Sequence, residues 1–486
     1  MSNIKVLFAS AEAVPFIKTG GLADVTYSLP KALRKLGIDV RVILPKYSQI
    51  PEEFKEEMVT ITDFPIEFKG QQEDCEILYL EYDEVPYYFV GNGYHFEQNS
   101  PYQVKGGSIY EFKDSEKFAF FNKAILETIR YIDFKPDIIH SNDWHTGMIS
   151  VLLNQLYCHE KDYSNIKTIF TIHNLQYQGI FPKEILKGLF GLEIENIDIE
   201  KLEFYGDINF MKAGINYSDI VTTVSKTYSK EIQTPEYGEK LDGLLRKIGD
   251  RLYGILNGID YDMYNPETDK DIYVQYSVDS IDKKLENKLK LQKELGLPER
   301  KDVPVISLIS RLVNMKGIDI LIKVLNEILS LDIQFVILGT GEPFYESILK
   351  EYEYKYPEKL SVNILFDNKL AKKIYAGSDI FLMPSLFEPC GLGQMIALRY
   401  GTLPIVRKTG GLNDTVKLYN VFTDEGNGFS FTNYDAYDML YTIKRAVKFY
   451  NDKKVWNKLV KRAMERDYSW KNSAKEYEKV YKTIYN

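Results

Sequence analysis

Short apolar runs alternate with longer amphipathic stretches along most of the chain. The run at 5–9 (KVLFA) leads through a glycine turn into an amphipathic stretch that ends at Leu36, and the helix-stopping Gly37 precedes a second run at 39–44 (DVRVIL). This order predicts a βαβ unit. Further strands are predicted at 137–141, 167–172 and 219–224, with helices at 114–132 and 207–218. The alternation indicates an α/β fold whose helices cover both faces of a parallel sheet.

One segment breaks this pattern. Residues 76–90, together with the preceding Cys75, read CEILYLEYDEVPYYFV. They carry two apolar runs with a polar interruption at Asp83. Two strands so close in sequence are typical of an antiparallel pair, because a parallel pair needs a long crossover. We therefore predict a hairpin that turns near Asp83.

The second half of the chain repeats the architecture of the first. A polar stretch runs from Asn257 to about residue 300, and strand-like runs then follow at 303–309, 334–338, 360–366, 380–383 and 403–406. The pattern predicts two doubly wound, Rossmann-like domains, at 1–250 and 251–470, with a last helix at 471–486 returning to the first domain. Hinges are expected near 250–260 and near 470. Open parallel sheets bind ligands at the carboxyl ends of their strands, so we expect the two domains to face a central cleft.

The peptide Thr-Gly-Gly-Leu-x-Asp occurs twice, at Thr19–Asp24 and at Thr409–Asp414. In both copies it follows a strand-like run and opens a helix. Paired glycines let backbone N–H groups approach a ligand closely, and the positive end of the helix dipole suits phosphate or sugar oxygens. The candidate binding residues are Gly20, Gly21 and Asp24 in the first copy and Thr409, Gly410 and Gly411 in the second. Either copy alone could equally be an ordinary strand-to-helix turn.

Bulk composition narrows the class of partner. The 486 residues carry 61 Lys and Arg against 70 Asp and Glu, a net charge of −9, which argues against a general nucleic-acid or anionic-membrane surface. The 3 cysteines include no CxxC pair, which fits a reducing compartment and disfavours a thiolate zinc site. No apolar run is long enough to predict a membrane span or a signal peptide. A cytoplasmic location is the expectation.

Two cations follow the strand-like run 303–309. Arg311 and Lys316 stand between the end of that strand and the start of a helix. Fixed Arg and Lys donors can stabilise the negative charge that develops on a departing diphosphate, without a metal ion. Both could instead be solvated loop charges, although their place after a buried strand favours a function.

A rigid turn follows the run 380–383. It places Glu388 between prolines and glycines, where the carboxylate could hold ribose or sugar hydroxyls, and the backbone amides of Gly391 and Leu392 could meet an anion at a helix start. The alternative is a glutamate that only satisfies the helix dipole. Cys390 has no obvious base nearby, so we interpret it as shaping the turn rather than as a reactive thiol.

Histidines and an aspartate end two strands of the first half. His140, Asp143 and His145 lie in one strand-to-loop stretch, and His173 ends another. Their spacing does not match a zincin helix, so hydrogen bonding to sugar hydroxyls is the favoured interpretation and no metal is expected. A Ser/His/Asp hydrolase is disfavoured because the chain has no G-x-S-x-G elbow. A dinucleotide site is also weak, since Phe344 stands where G-x-G-x-x-G needs its third glycine.

These motifs together resemble the bacterial glycogen synthases, the ADP-glucose-dependent starch synthase family, along essentially the whole chain. The motifs that carry the resemblance are KTGGLADV from Lys18, Asp143-Trp144-His145, Arg311 with Lys316, EPCGL from Glu388, and TGGL from Thr409. The resemblance implies the glycosyltransferase B fold and transfer of glucose from ADP-glucose to the non-reducing end of an α-1,4-glucan such as glycogen. It also implies retention of the α configuration, with no cofactor and no required metal.

Residue roles follow from the same resemblance. It makes Lys18 a nucleotide-sugar ligand, Arg311 and Lys316 the diphosphate clamp, and Glu388 a ligand of the donor sugar. Asp143 and His173 would line the glucosyl site, and Tyr102 would contact the acceptor.

The chain departs from the pattern of this fold at two positions. Ile396 stands where several glycosyltransferases carry a second glutamate, which implies a single-Glu site, and Gly393 replaces a threonine hydroxyl found in some members. Two rival functions remain open: a transferase of the same fold with a small-sugar or lipid acceptor, and a catalytically silent glucan-binding protein. The phosphate-binding cations argue against the second, because neutral glucan needs none.

Overall fold

The computed structural model describes residues 4–97 and 112–485 and divides the chain into two compact units. The first unit comprises Met1–Asn257 together with Trp470–Asn486, and the second comprises Gly258–Ser469. The unit boundary thus lies 7 residues beyond the predicted residue 250, at the Asn257-Gly258 step, and the return lies one residue before the predicted 471. Tyr102, the predicted acceptor contact, lies outside the described residues.

The described part of the first unit contains a nine-stranded sheet with the order β12-β11-β7-β6-β1-β2-β5-β4-β3 and a small antiparallel sheet with the order β8-β10-β9. The strands are β1 Lys5–Ala9, β2 Asp39–Pro45, β3 Val59–Phe68, β4 Gln71–Tyr82, β5 Val85–Gly91, β6 Ile138–Asn142, β7 Lys167–Ile172, β8 Ile180–Phe181, β9 Glu203–Phe204, β10 Asp207–Asn209, β11 Ile220–Thr223 and β12 Leu252–Gly254. From β12 to β5 every neighbouring pair in the large sheet is parallel.

The predicted hairpin is confirmed, and it extends further than predicted. β4 and β5 pair antiparallel and turn at Asp83 and Glu84, both of which have positive φ. A further antiparallel strand, β3, lies at the sheet edge and was not predicted. Its first half is mostly exposed and rich in Thr and Asp, so it lacks the continuous apolar run by which the other strands were recognised.

Nine helices accompany these strands in the described residues before the unit boundary, many of them short. They are α1 Gly21–Arg34, α2 Glu52–Glu57, α3 Gly93–Phe96, α4 Phe112–Tyr131, α5 Ile149–Leu152, α6 Ile185–Phe190, α7 Phe210–Tyr217, α8 Lys226–Glu231 and α9 Asp242–Ile248. α1 has an apolar face that buries Leu22, Val25, Leu29 and Leu33.

The second unit has a six-stranded, all-parallel sheet in its described residues, with the order β15-β14-β13-β16-β17-β18. Its strands are β13 Val305–Ile309, β14 Gln334–Leu338, β15 Leu360–Asn363, β16 Ile380–Met383, β17 Leu403–Arg407 and β18 Phe429–Phe431. Five of the six were predicted, and β18 was missed because three residues give too short an apolar run.

The second unit also contains α-helices, and all but the first of them follow its strands. They are α10 Lys284–Glu294, α11 Ile318–Lys323, α12 Leu325–Ser330, α13 Pro343–Lys355, α14 Asn368–Gly377, α15 Gly393–Arg399, α16 Gly410–Thr415, α17 Ala436–Asn451 and α18 Lys453–Glu465. The two halves of the chain therefore do repeat one α/β architecture, as their sequence patterns predicted.

The last helix, α19 (Trp470–Tyr485), belongs to the first unit and packs against α1. Its Tyr477 and Tyr481 are fully buried. The Tyr481 hydroxyl is hydrogen-bonded to His140 Nδ1 at 2.8 Å, which ties α19 to β6 at the centre of the sheet. The C-terminal segment is thus part of the core of the first unit.

The described residues contain neither a candidate membrane span nor a candidate metal site. No helix among them is both long enough and apolar enough to cross a bilayer. In the same ranges, 4–97 and 112–485, no three or more His, Cys, Asp or Glu side chains are grouped so that they could hold a metal ion.

Candidate active site

The loop after β1 is organised by a buried carboxylate. Glu12 Oε2 accepts hydrogen bonds from the N–H of Thr19 at 2.5 Å, the hydroxyl of Thr19 at 2.6 Å and the N–H of Gly20 at 3.2 Å. Lys18 forms an ion pair with Asp24 (Nζ to Oδ1, 2.8 Å) on the first turn of α1. The Lys18 side chain keeps 44% of its surface exposed, so its charge remains available to a ligand.

Glu12 was not singled out in the sequence. It is only 1% exposed, and burial raises its pKa, against the opposing effect of the hydrogen bonds from Thr19 and Gly20. The signal that could have found it is a lone carboxylate in the apolar stretch between β1 and the glycine turn, where an unpaired charge would be costly.

The loops after β6 and β7 bring Asp143 and His173 together. Asp143 Oδ1 accepts a hydrogen bond from the N–H of His173 at 2.8 Å, and His173 Nε2 is hydrogen-bonded to Asn142 Oδ1 at 2.9 Å. Because β6 and β7 are adjacent parallel strands, their carboxyl ends lie at the same edge of the sheet. The pair that the sequence proposed therefore meets at this edge.

Asp143 is held in an unusual backbone and electrostatic state. Its φ of 55° lies in the left-handed region, and the residue is 9% exposed. Burial raises the pKa of its carboxyl to about 7, and the charge of Glu12 adds to the increase while the N–H groups of His173 and Asn174 oppose it. Buried acids with such raised pKa values cluster at functional sites.

His140 and His145 do not fit the interpretation that they bind sugar. His140 is fully buried between Tyr481 and the hydroxyl of Thr171 (Nε2 to Oγ1, 2.6 Å), and burial lowers its pKa to about 3. His145 is 4% exposed, and its ring is tilted against that of Trp144 with ring centroids 4.1 Å apart. Both histidines are therefore buried in the core, His140 on β6 and His145 in the short 3-10 turn that follows it.

In the second unit, an ion pair joins the loops after β13 and β16. Lys316 Nζ lies 2.7 Å from Glu388 Oε2, and the hydroxyl of Ser385 donates to the same oxygen at 3.0 Å. The backbone joins these loops as well, since the N–H of Leu386 donates to the carbonyl of Met315 at 2.9 Å. Two residues selected separately from the sequence are therefore direct partners.

Arg311 lies on the same loop, directly after β13, and is exposed. Its neighbour Leu312 is fixed to the loop after β14, because the N–H of Leu312 donates to the carbonyl of Thr340 at 2.9 Å. That close approach requires glycines: a Cβ on Gly339 would lie 1.8 Å from the carbonyl oxygen of Ser310, and one on Gly341 would lie 2.2 Å from that of Leu312. Gly339 and Gly341, the two glycines of the incomplete G-x-G-x-x-G motif that ends at Phe344, thus allow the loop after β14 to support the Arg311 loop.

The two Thr-Gly-Gly-Leu copies use their glycines differently. In the second copy, a Cβ on Gly410 would lie 2.0 Å from the carbonyl oxygen of Glu388, and one on Gly411 would lie 2.1 Å from that of Cys390. The N–H of Gly411 also donates to the carbonyl of Glu388 at 3.2 Å. In the first copy, a Cβ on Gly21 would meet nothing within 4 Å. The second pair therefore braces the Glu388 turn, whereas the first leaves open space.

The turn around Glu388 is fixed from several sides. Arg407 Nε donates to the carbonyl of Ser385 at 3.0 Å, and the Gln394 amide donates to the carbonyls of Cys390 (3.1 Å) and Gly391 (2.9 Å). Gly391 has a φ of 72°, which a side chain would strain. Cys390 is 6% exposed, in agreement with its interpretation as a shaping residue, while Leu392 remains partly exposed.

A pocket of about 550 Å³ lies elsewhere in the first unit. It is formed by Lys69 and Gly70 at the β3–β4 turn and by residues of 182–189 around α6. None of the residues selected from the sequence lines it, so the chemistry described above is not located there.

Comparison with known proteins decides the family. The family model described as "Starch synthase catalytic domain" matches residues 5–247, and that described as "Glycosyl transferases group 1" matches residues 288–466. Glycogen synthase of Desulforamulus reducens is 54% identical over 99% of both chains, and that of Clostridium novyi is 53% identical over the same shares. This chain belongs to the glycogen synthase family. It is accordingly a hexosyltransferase of the glycogen and starch synthase type.

Solved structures agree with the glycogen synthase assignment. The catalytic domain of starch synthase IV from Arabidopsis thaliana, bound to ADP and acarbose, has a TM-score of 0.90 and is 34% identical, with full coverage of both chains. Sucrose-phosphate synthase from Thermosynechococcus elongatus has a TM-score of 0.61 at 17% identity and 99% coverage of both chains, a likeness in fold alone. The resemblance proposed from the motifs and the predicted glycosyltransferase B fold class are both confirmed.

Proposed function

We propose that this member of the glycogen synthase family transfers glucose from ADP-glucose to the non-reducing end of an α-1,4-glucan, with retention of the α configuration. The observation that carries the proposal is the ion pair between Lys316 and Glu388, 2.7 Å apart, with the exposed Arg311 on the same loop. A nucleotide-sugar donor needs both elements, since cations meet its diphosphate and a carboxylate accepts hydrogen bonds from sugar hydroxyls. A protein that only binds glucan has no need of the cations.

The donor fits this edge of the second unit in a specific orientation. Arg311 and Lys316 bind the diphosphate, and the carboxylate of Glu388 accepts hydrogen bonds from glucosyl hydroxyls. The Lys316 ammonium has three N–H donors, one of which is directed at Glu388, so two remain for phosphate oxygens. The braced glycines Gly410 and Gly411 hold Glu388 in place and leave the ligand contacts to the carboxylate and to the amides near Gly391 and Leu392.

The transfer step is an exchange at the anomeric carbon. The bond between that carbon and the diphosphate oxygen breaks, and Arg311 and Lys316 stabilise the negative charge as it grows on the leaving ADP. The 4-hydroxyl of the acceptor attacks the same face, and its proton passes to the departing phosphate oxygen. Attack from the face of departure accounts for retention with one essential carboxylate, in keeping with Ile396 at the position of a second glutamate.

We assign to residues of the first unit the contacts with the transferred glucosyl group and with the acceptor. Asp143, when ionised, stabilises the positive charge that develops on the sugar ring, and His173 donates or accepts a hydrogen bond with a sugar hydroxyl. Lys18, exposed on its loop, is assigned to the nucleotide sugar. The starch synthase IV neighbour was solved bound to ADP and acarbose, which supports this choice of substrates.

The test is a donor and acceptor matrix. ADP-glucose and UDP-glucose, each labelled in the glucosyl group, are offered with glycogen, maltotetraose, free glucose and a lipid acceptor. We expect label in glycogen and maltotetraose from ADP-glucose, and an α signal at the new anomeric carbon by NMR. Transfer only to glucose or lipid, or a β product, would overturn the proposal.

A further inference from the structure

Glu12 is assigned no part in the transfer step, yet it organises the loop that follows β1. Three donors converge on its Oε2: the N–H and the hydroxyl of Thr19 and the N–H of Gly20, at 2.5, 2.6 and 3.2 Å. The residue is 1% exposed. A buried carboxylate that collects three donors on one oxygen fixes the conformation of the chain that supplies them.

The chain that supplies them is the loop that presents Lys18. The N–H groups of Thr19 and Gly20 lie directly before α1, where N–H groups have no partner within the helix and where the helix dipole favours a negative charge. The Glu12 carboxylate provides that charge from within the protein. These two N–H groups are therefore turned inward, and Lys18 and Gly21 are left on the exposed side of the loop.

We infer that Glu12 is a positioning residue for nucleotide-sugar binding: its carboxylate holds the loop 18–21 so that Lys18 reaches the donor and Gly21 leaves space for it. The inference rests on the proposed function, because it takes the donor to be the ligand of Lys18. It differs from a catalytic role, since Glu12 acts through the loop and contacts no reacting atom.

Neighbouring negative charges make a carboxylate costly at this position. The charges of Asp24 and Asp143 interact unfavourably with that of Glu12. An ionised group is stable at such a site only where strong hydrogen-bond donors stabilise it. The N–H and hydroxyl of Thr19 and the N–H of Gly20 are those donors. An apolar side chain would leave two N–H groups and one hydroxyl of the loop without their acceptor.

The experiment compares three variants of the full chain. Glu12→Ala removes the acceptor, and Glu12→Gln keeps one oxygen that can accept from Thr19 and Gly20. Asp219→Ala is the matched control, because Asp219, directly before β11, accepts hydrogen bonds from the N–H and the hydroxyl of Thr168 at 2.7 and 3.0 Å. Thr168 lies at the start of β7, at the end of the strand opposite to the His173 loop. KM for ADP-glucose, kcat, Kd for ADP by calorimetry and Tm are measured for each.

For Glu12→Ala we expect KM for ADP-glucose and Kd for ADP to rise about 10- to 100-fold. A binding group that is displaced by about 1 Å loses a factor of this size. Glu12→Gln should recover most of the loss, and Asp219→Ala should lower Tm without changing KM. A Glu12→Ala variant that loses Tm like the control but keeps KM and Kd would show a purely structural role. A Glu12→Gln variant as defective as Glu12→Ala would contradict the role of this side chain as the hydrogen-bond acceptor of the loop.

A double-mutant cycle with Lys18→Ala tests whether Glu12 acts through the loop. If it does, Glu12→Ala adds little to the rise in KM once Lys18 has been removed, whereas independent sites would give multiplied effects. Multiplied effects would overturn the inference. If the unaltered protein transferred no glucose from ADP-glucose and did not bind ADP, the proposed function would fail, a result that the variants cannot imitate.

Discussion

Lys316 and Glu388 are 72 positions apart in sequence, and their side chains meet at 2.7 Å between Nζ and Oε2. The pair is partly buried, with 19% and 10% of the two side chains exposed, so solvent screens it less than a surface pair. Its position where the loops after β13 and β16 touch means that each side chain orients the other before any ligand arrives. The cation for the diphosphate and the carboxylate for the sugar are thereby held at a fixed separation.

The first prediction concerns Lys316. Lys316→Ala should lower kcat about 100- to 1,000-fold, because the charge that it meets grows in the transition state, while KM for glycogen changes little. Initial rates with saturating glycogen measure this. Lys323→Ala, which removes an exposed lysine of α11, is the control and should keep full activity. An unchanged kcat for Lys316→Ala would contradict the assigned role.

The second prediction separates the two glycine pairs. Gly411→Ala should lower Tm, since its Cβ would lie 2.1 Å from the carbonyl oxygen of Cys390. Gly21→Ala should keep Tm, because its Cβ meets nothing within 4 Å, but should raise KM for ADP-glucose about tenfold by filling the space assigned to the donor. Differential scanning fluorimetry and donor kinetics measure the two effects. Equal loss of Tm in both variants would refute the distinction.

The third prediction uses the pKa of Asp143. Its folded pKa of about 7 exceeds 3.8, the ordinary value for an aspartate, so between these pH values the folded state keeps a proton that the unfolded state has lost. This contribution to stability falls as pH rises from about 4 to about 7 and is constant above. Asp143→Asn cannot ionise, and asparagine has nearly the same size and shape as the aspartate that it replaces.

We therefore expect the Tm of Asp143→Asn to exceed that of the unaltered protein by an amount that grows up to about pH 7. Its activity should fall most at pH 8, where the carboxylate of the unaltered protein is ionised, and the difference should shrink towards pH 5, where that carboxyl is protonated. Thermal melts from pH 5 to 8 and rates at the same pH values test both parts. A constant difference in Tm across that range would mean that Asp143 ionises normally.

The fourth prediction concerns the anchoring of α19. Tyr481→Phe removes the hydroxyl partner of His140 and should destabilise the first unit by about 1–3 kcal/mol, the usual cost of an unsatisfied buried polar group. Urea denaturation measures the loss. KM and kcat at 25 °C should stay within about twofold, since neither residue is assigned a substrate contact. Tyr485→Phe, at a partly exposed position of the same helix, is the matched control.

Much of the fold was predictable because buried parallel strands have a local signature. β1, β14 and β16 are mostly apolar runs in the sequence, and nearly every residue of each is buried. The rule that ligands bind at the carboxyl ends of such strands then selected Asp143, Lys316 and Glu388 without any knowledge of their distances. The roles that could not be predicted from the sequence depend on contacts between segments that are distant in the chain.

Three cases show this limit. The inward-facing carboxylate of Glu12 has meaning only once the loop at Thr19 folds back onto it. The sequence predicted that His140 binds sugar hydroxyls, but in the folded sheet it is hydrogen-bonded to Tyr481, 341 positions away. The two Thr-Gly-Gly-Leu peptides are identical in sequence, and only the Glu388 turn packed on the second pair makes their glycines differ.

The place of α19 has a consequence for biosynthesis. Tyr477 and Tyr481 complete the core of the first unit, yet they follow the whole of the second unit in sequence. A ribosome must therefore synthesise residues 258–469 before that core can close. The second unit, whose residues 258–469 are contiguous, can finish folding while the earlier-made half still awaits its last helix.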